Sequence, residues 1–117
     1  MAAQPSADAC LEMSAHKAAA RTYLKLRLDL DKQQAPLWNE LEAIAAENDT
    51  AMLELCTDRP ANPEGRSLVA RSERAEIRLD RRLAALKALN VPLRKLYATL
   101  SAEQRAVVDA LPMPLPF

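Results

Sequence analysis

The side chains that could do chemistry are few and scattered. His16 is the only histidine in the 117 residues. With Cys10 and Met13 it makes the one local set of soft-metal ligand types, at i, i+3 and i+6 of a helical stretch. Such a site would need the Cys10 thiolate, so it competes with any disulfide at that residue. A surface histidine beside a core methionine is the plainer reading, and no metal ligand is assigned. Glu73, Glu76 and Asp80 gather three carboxylates near one side of a helix. No histidine or candidate nucleophile accompanies them, and solvated helix faces commonly look like this. No Gly-rich phosphate loop and no nucleophile motif occurs. The chain therefore reads as a non-enzyme that needs no cofactor.

What remains is recognition. At about 100° per residue, Leu68, Ala75, Leu79, Leu83, Leu86, Leu93 and Tyr97 fall on one apolar stripe. Arg71, Arg74, Arg78, Arg81 and Arg82 flank one side of it, and the three carboxylates flank the other. Ile77 lies apart and is expected to be exposed. Nucleic acid is a poor partner, because 16 basic and 16 acidic residues cancel and aromatics make up only 3% of the chain. Arginines beside leucines offer long-range attraction first and apolar contact second, which suits loosely structured protein clients. Arg71, Arg74, Arg78 and Arg81 are the candidate client-binding residues.

The elements that would position them are helices. Ala, Leu, Arg, Glu and Lys dominate, while Gly65 is the only glycine and Phe117 the only phenylalanine. With so few aromatic anchors, an elongated assembly sharing apolar faces between two copies is expected rather than a compact globule. Residues 1–7 are small and polar and are expected to fray. A first helix from Asp8 puts Met13, Ala20, Leu24 and Leu28 on one face, with Lys17, Arg21 and Lys25 on a charged neighbouring face. Leu24, Leu26, Leu28 and Leu30 also alternate as a strand would, but such a strand has no partner, so the reading is helix followed by an extended connector.

Asp31 and Gln34 then form a capping box: the carboxylate can accept from free backbone N–H groups, and Gln34 can reach back to the Asp31 N–H. Leu30 precedes the cap, where an apolar residue can staple the entering chain. Pro36 implies that the helix bends there or starts late. Its apolar face comprises Leu37, Trp38, Leu41, Ile44, Ala45, Met52 and Leu55. A loop over Thr57–Gly65 separates it from a long helix beginning near Arg66 or Ser67. Pro92 predicts a kink or break in that helix near Asn90. Ser101 and Gln104 repeat the capping box after Leu100, opening a short helix with Val107, Val108 and Leu111. Pro112, Pro114 and Pro116 end it, so the tail over 112–117 is expected to be extended and mobile.

Leu30-Asp31-Lys32-Gln33-Gln34 and Leu100-Ser101-Ala102-Glu103-Gln104 resemble the paired LTxxQ motifs of the Spy/CpxP family, periplasmic helical proteins that protect or refold other proteins under envelope stress. The resemblance covers roughly Tyr23 to Leu111. Asp31 and Ser101 stand where the motif has Thr, and both are good caps. The resemblance implies four helices over residues 8–111, two protomers paired antiparallel into a cradle-shaped homodimer, and a concave surface that holds partly unfolded clients without ATP. A regulatory or metal-sensing periplasmic dimer that docks one signalling partner, such as a sensor protein, is the alternative. Folding the first two helices back on each other would bring Cys10 near Cys56, feasible for a disulfide in an oxidising compartment. Two separate reduced thiols are the other reading. Met1-Ala2-Ala3-Gln4-Pro5 has neither a basic start nor an apolar stretch, and no apolar run reaches the roughly 20 residues of a membrane span. A cytoplasmic protein would look like this, and so would a mature exported one; the periplasmic location that the resemblance implies presumes a removed signal.

Overall fold

The computed structural model describes residues 6–58, 62–112 and 115–117. Among the described residues it is all-α: α1 (Ala7–Leu28), α2 (Gln34–Thr57), α3 (Leu68–Thr99) and α4 (Ala102–Asp109), with one 3-10 turn at Glu64–Arg66 and no strand. The molecule measures 53 × 24 × 22 Å, and its radius of gyration of 16.9 Å exceeds the roughly 13 Å expected of a compact chain this long. The cause is its layering. α1 and α3 each pack antiparallel on α2 and barely meet each other, so α2 is the only helix with neighbours along both sides.

Residues 1–5, expected to fray, lie outside the described residues. α1 begins one residue earlier than expected because the Ser6 hydroxyl accepts from the Ala9 N–H at 3.1 Å. Its C-terminus turns at Asp29, the one described non-glycine residue with positive φ (48°), a conformation Asp tolerates better than most side chains. The run of alternating leucines is helical: Leu24 and Leu28 are buried while Leu26 faces solvent.

The inward face of α1 is not the expected one. Met13 is 51% exposed and Ala20 is exposed, whereas Arg21 is 2% exposed. The buried positions Cys10, Arg21, Leu24 and Leu28 follow the helical period, but a charged residue in the series hid it from a search for apolar side chains. Arg21 tolerates burial because α2 supplies two carboxylates. Its Nε donates to Glu42 at 2.8 Å and its Nη1 to Asp49 at 2.7 Å. Desolvation alone would lower the guanidinium's pKa, but the hydrogen bonds to Glu42 and Asp49 and the charges behind them outweigh it and raise it.

The core collects Leu24, Leu28, Trp38, Leu41, Ala45, Leu89, Leu96 and Leu100, with Leu30, Leu37, Ile44, Val107, Val108 and Leu111 packed around it. It therefore sits at one end of the molecule. No break occurs at Asn90: α3 runs unbroken through Pro92, whose ring is fully buried. Packing of that ring offsets the lost helical hydrogen bond. Pro36 removes the helical bond that would follow Ala35 N–H to Asp31 O (3.0 Å), so the regular helix of α2 starts late, at Gln34.

Both capping boxes form. Asp31 Oδ1 accepts from the Gln33 and Gln34 N–H groups at 2.8 Å, and Gln34 Oε1 accepts from the Asp31 N–H at 3.2 Å. Ser101 and Gln104 make the corresponding pair at 3.1 and 2.9 Å. The two boxes then join. Gln34 Nε2 donates to Gln104 Oε1 at 2.9 Å and Gln104 Nε2 to Gln34 Oε1 at 3.0 Å. The second proton of each amide caps the opposite hairpin's outgoing helix: Gln34 Nε2 reaches Thr99 O (2.9 Å) at the end of α3, and Gln104 Nε2 reaches Leu28 O (3.0 Å) at the end of α1. Four helix ends thus share one joint.

At the far end of α1 and α2 a disulfide links Cys10 to Cys56, with Cα atoms 5.9 Å apart. The last three residues, 115–117, meet the helices. Pro116 O accepts from Arg21 Nη1 at 3.0 Å, and the Phe117 ring meets Trp38 edge-on with centroids 6.2 Å apart. Nothing local in the sequence marks these partners, which lie on two other helices; residues 113–114 of the expected tail lie outside the described residues.

Gln34→Leu strands the Thr99 carbonyl and half of the Gln104 amide, and should cost roughly 2–4 kcal/mol in urea unfolding. The Gln34→Leu/Gln104→Leu pair should cost clearly less than the sum of its parts, since both changes remove one network. Arg21→Met should cost about 3 kcal/mol by leaving Asp49 buried without a counter-charge, and adding Asp49→Leu should recover part of the loss. Reducing the disulfide, which joins residues 46 apart, should lower stability by at most about 4 kcal/mol on loop entropy, read as the difference between unfolding curves with and without reductant.

Candidate functional site

The candidate surface lies on the first two-thirds of α3. Ser67 starts that helix by accepting from the Ala70 N–H at 3.1 Å. Upstream, Asn62 Oδ1 accepts from the Gly65 N–H at 2.9 Å, and the 3-10 turn at Glu64–Arg66 leads into the cap. Arg74 Nη1 donates to the Gly65 carbonyl, fastening this entry segment to the body of the helix.

The apolar stripe divides along its length. Leu93 and Tyr97 are half-buried against the core. Leu68, Leu79 (69%), Leu83 (51%) and Leu86 (46%) stand in solvent, and Val69 and Ile77 are exposed as well. Ile77 was expected there; the leucines were placed on a common stripe with the residues that pack inward. The side chains of α3 that actually enter the core are Leu89, Pro92 and Leu96, displaced round the helix from the leucines. Stepping back from Leu89 by three- and four-residue intervals, the same seam passes through Ala85, Arg78 and Arg74, all half-buried. The α3 side that meets α2 is therefore apolar near the core and basic further out.

The four candidate arginines are thus not equivalent. Arg71 and Arg81 are exposed, whereas Arg74 and Arg78 are half-buried on the side turned to the protein. Arg81 also lines a shallow hollow of about 250 Å³ with Asn48, Ala51, Met52, Ala84 and Ala85. Asn48 Nδ2 bridges its floor to the Ala85 carbonyl at 3.1 Å. The result is a helix with an oily strip in water and a basic seam beside it, which can offer apolar contact and cationic attraction.

The other residues singled out from sequence fall elsewhere. Leu30, Asp31, Gln34, Leu100, Ser101 and Gln104 gather at the joint between the helix pairs, beside an open groove of about 580 Å³. There the polar four cap helix starts, and Leu30 and Leu100 pack with the core. α3 is anchored at this end by further bonds: Arg105 Nε donates to Tyr97 O at 3.3 Å, and the Tyr97 hydroxyl donates to Asp109 at 3.0 Å. That hydrogen bond, with lesser help from desolvation and the Asp109 charge, raises the Tyr97 pKa. Cys10 has its sulfur bonded to Cys56, so the Cys10, Met13 and His16 set lacks its thiolate. Among the described residues no three His, Cys, Asp or Glu side chains converge as metal ligands. Glu73, Glu76 and Asp80 are exposed. The Arg21, Glu42 and Asp49 cluster was missed, although Glu42 and Asp49 stand two turns apart on the apolar side of α2, a spacing that asks for a buried cation.

Neither the curated proteins nor the solved structures compared with the chain give a significant match. The profile of the LTXXQ motif family does match, over residues 17–112, a span that runs from the first half of α1 past α4 and contains both capping boxes. The chain belongs to the LTXXQ motif family.

Proposed function

We propose that this protein is an ATP-independent, chaperone-like binder of non-native proteins in the periplasm, working as a homodimer during envelope stress. The observation that carries the reading is the row of large apolar side chains left in water along α3, Leu79, Leu83 and Leu86 above all. A leucine moved from water into a contact contributes about 1.5–3 kcal/mol, so a few such side chains bind usefully without demanding one partner shape. The leucines divide between a second copy, packed antiparallel, and a client held on the concave side. Membership of the LTXXQ family and a disulfide suited to an oxidising compartment support the location. No described helix is long and apolar enough to cross a membrane.

Arg71, Arg74, Arg78 and Arg81 steer clients toward the strip. Arg74 has a second duty at Gly65, which makes Arg71, Arg78 and Arg81 the cleaner test. Changing those three to Gln should slow client capture several-fold at low salt and flatten its dependence on ionic strength. Identical capture rates in the variant across salt concentrations would sink the steering role. Leu79→Lys with Leu83→Lys should weaken capture at least tenfold, since two apolar contacts are lost, and sedimentation should show whether the dimer weakens with it. Aggregation assays with several unrelated unfolded proteins test the general reading. Broad suppression supports a chaperone, whereas suppression of one protein or none indicates a regulator that docks a single signalling partner.

A further inference from the structure

Residues 115–117 lie over a corner of the α1–α2 hairpin made by Arg21 and Trp38, each only 2% exposed. The corner makes two contacts with the segment. The Arg21 guanidinium donates to the Pro116 carbonyl at 3.0 Å, and Trp38 receives the Phe117 ring edge-on at 6.2 Å with the planes 65° apart. Neither contact is peculiar to this tail. A backbone carbonyl occurs in every residue of every polypeptide, and an aromatic side chain in most unfolded ones. The side chains of Leu115, Pro116 and Phe117 are hydrocarbon, so they offer the corner apolar contact only.

The corner is also built in advance. Glu42 and Asp49 hold the guanidinium from α2 at 2.8 and 2.7 Å, which fixes it as a charged donor aimed at whatever chain passes. Trp38 is fixed by the core around it. The visitor is only half-buried at all three of its residues, so it covers the corner without being sealed in. Pro116 restricts the segment's backbone and reduces the ordering cost of docking, and the covalent tether raises its local concentration.

We infer that the Arg21–Trp38 corner is a binding subsite for extended, aromatic-bearing segments of unfolded proteins, and that residues 115–117 occupy it as a tethered competitor. The inference rests on the protein-binding function proposed above and adds a second contact point, away from the α3 leucines, with its own control. A client segment gains the corner only when the tail lifts, so the apparent affinity is reduced by the fraction of time the corner stands open; a tail seated nine-tenths of the time weakens binding about tenfold.

Trp38 is the sole tryptophan, so its fluorescence reports on the corner directly. The experiment titrates a synthetic peptide of residues 111–117, and the same peptide with Ala for Phe117, into three proteins: the full chain, a variant ending at Leu111, and Phe117→Ala. Saturable change of Trp38 emission in the shortened chain, about tenfold weaker in the full chain and absent with the Ala peptide, is the expected result. The idea is overturned if a shortened chain with intact helicity gives no saturable change, or if the full chain binds the peptide as tightly as the shortened one. Should the shortened chain lose helicity, the comparison of Phe117→Ala with the full chain decides on the same tenfold criterion. The readout needs no aggregating client, so peptide binding alongside failed aggregation assays would reject the general chaperone while leaving the subsite standing.

Discussion

The reciprocal amide pair of Gln34 and Gln104 is the constraint on which the rest of this molecule depends. A helix end leaves backbone groups without intrahelical partners, and a joint where two helices leave and two begin concentrates that problem in one place. Each glutamine has two lone-pair directions and two protons, and all are used. The oxygen accepts from its own cap residue and from the other amide, while the nitrogen donates to the other amide and to the other hairpin's departing helix. Glutamate could not donate, and asparagine is a methylene too short to reach both its own cap and the far carbonyl. The chemistry of the joint thus explains why the motif ends in Gln and tolerates Asp or Ser at the cap.

The rest of the architecture follows from where the joint holds α2. Leu24, Leu28, Trp38, Leu41, Leu89, Leu96 and Leu100 pack beside it, so core density is highest there and falls toward the far end. Away from the joint, α3 keeps only a seam of small and basic residues toward α2, and its leucines turn outward. The uncovered strip is therefore a consequence of layering: with α1 and α3 on opposite sides of one helix, no third helix remains to cover it.

Local signals in the chain were legible and long-range ones were not. Asp31 with Gln34 and Ser101 with Gln104 are three residues apart, close enough for sequence to define each cap. The bonds between the boxes span 65 to 76 residues, and nothing local encodes them. Helix number and the loop at Thr57–Gly65 were readable from composition and breakers. Helix phase was less secure. Arg21 interrupts the inward series of α1, so ranking by hydrophobicity placed Leu24 and Leu28 correctly but drew in Met13 and Ala20, which are exposed. In α3 it gathered the exposed Leu79, Leu83 and Leu86 onto one stripe with the half-buried Leu93 and Tyr97. Pro92 looked like a stop because sequence shows the bond it removes and not the core its ring enters. Phe117 finds Trp38 at a sequence separation of 79, beyond the reach of periodicity.

The disulfide between Cys10 and Cys56 makes the two hairpins mechanically unequal. The first is a covalently closed ring, clasped at one end by sulfur and at the other by the glutamine joint. The second is held to it through side-chain contacts and has no crosslink of its own. Pulled, heated or crowded by a guest, such a body would yield first along α3 and α4 while the ring keeps its shape. It has a hard half that remembers the fold and a soft half that can give way and return.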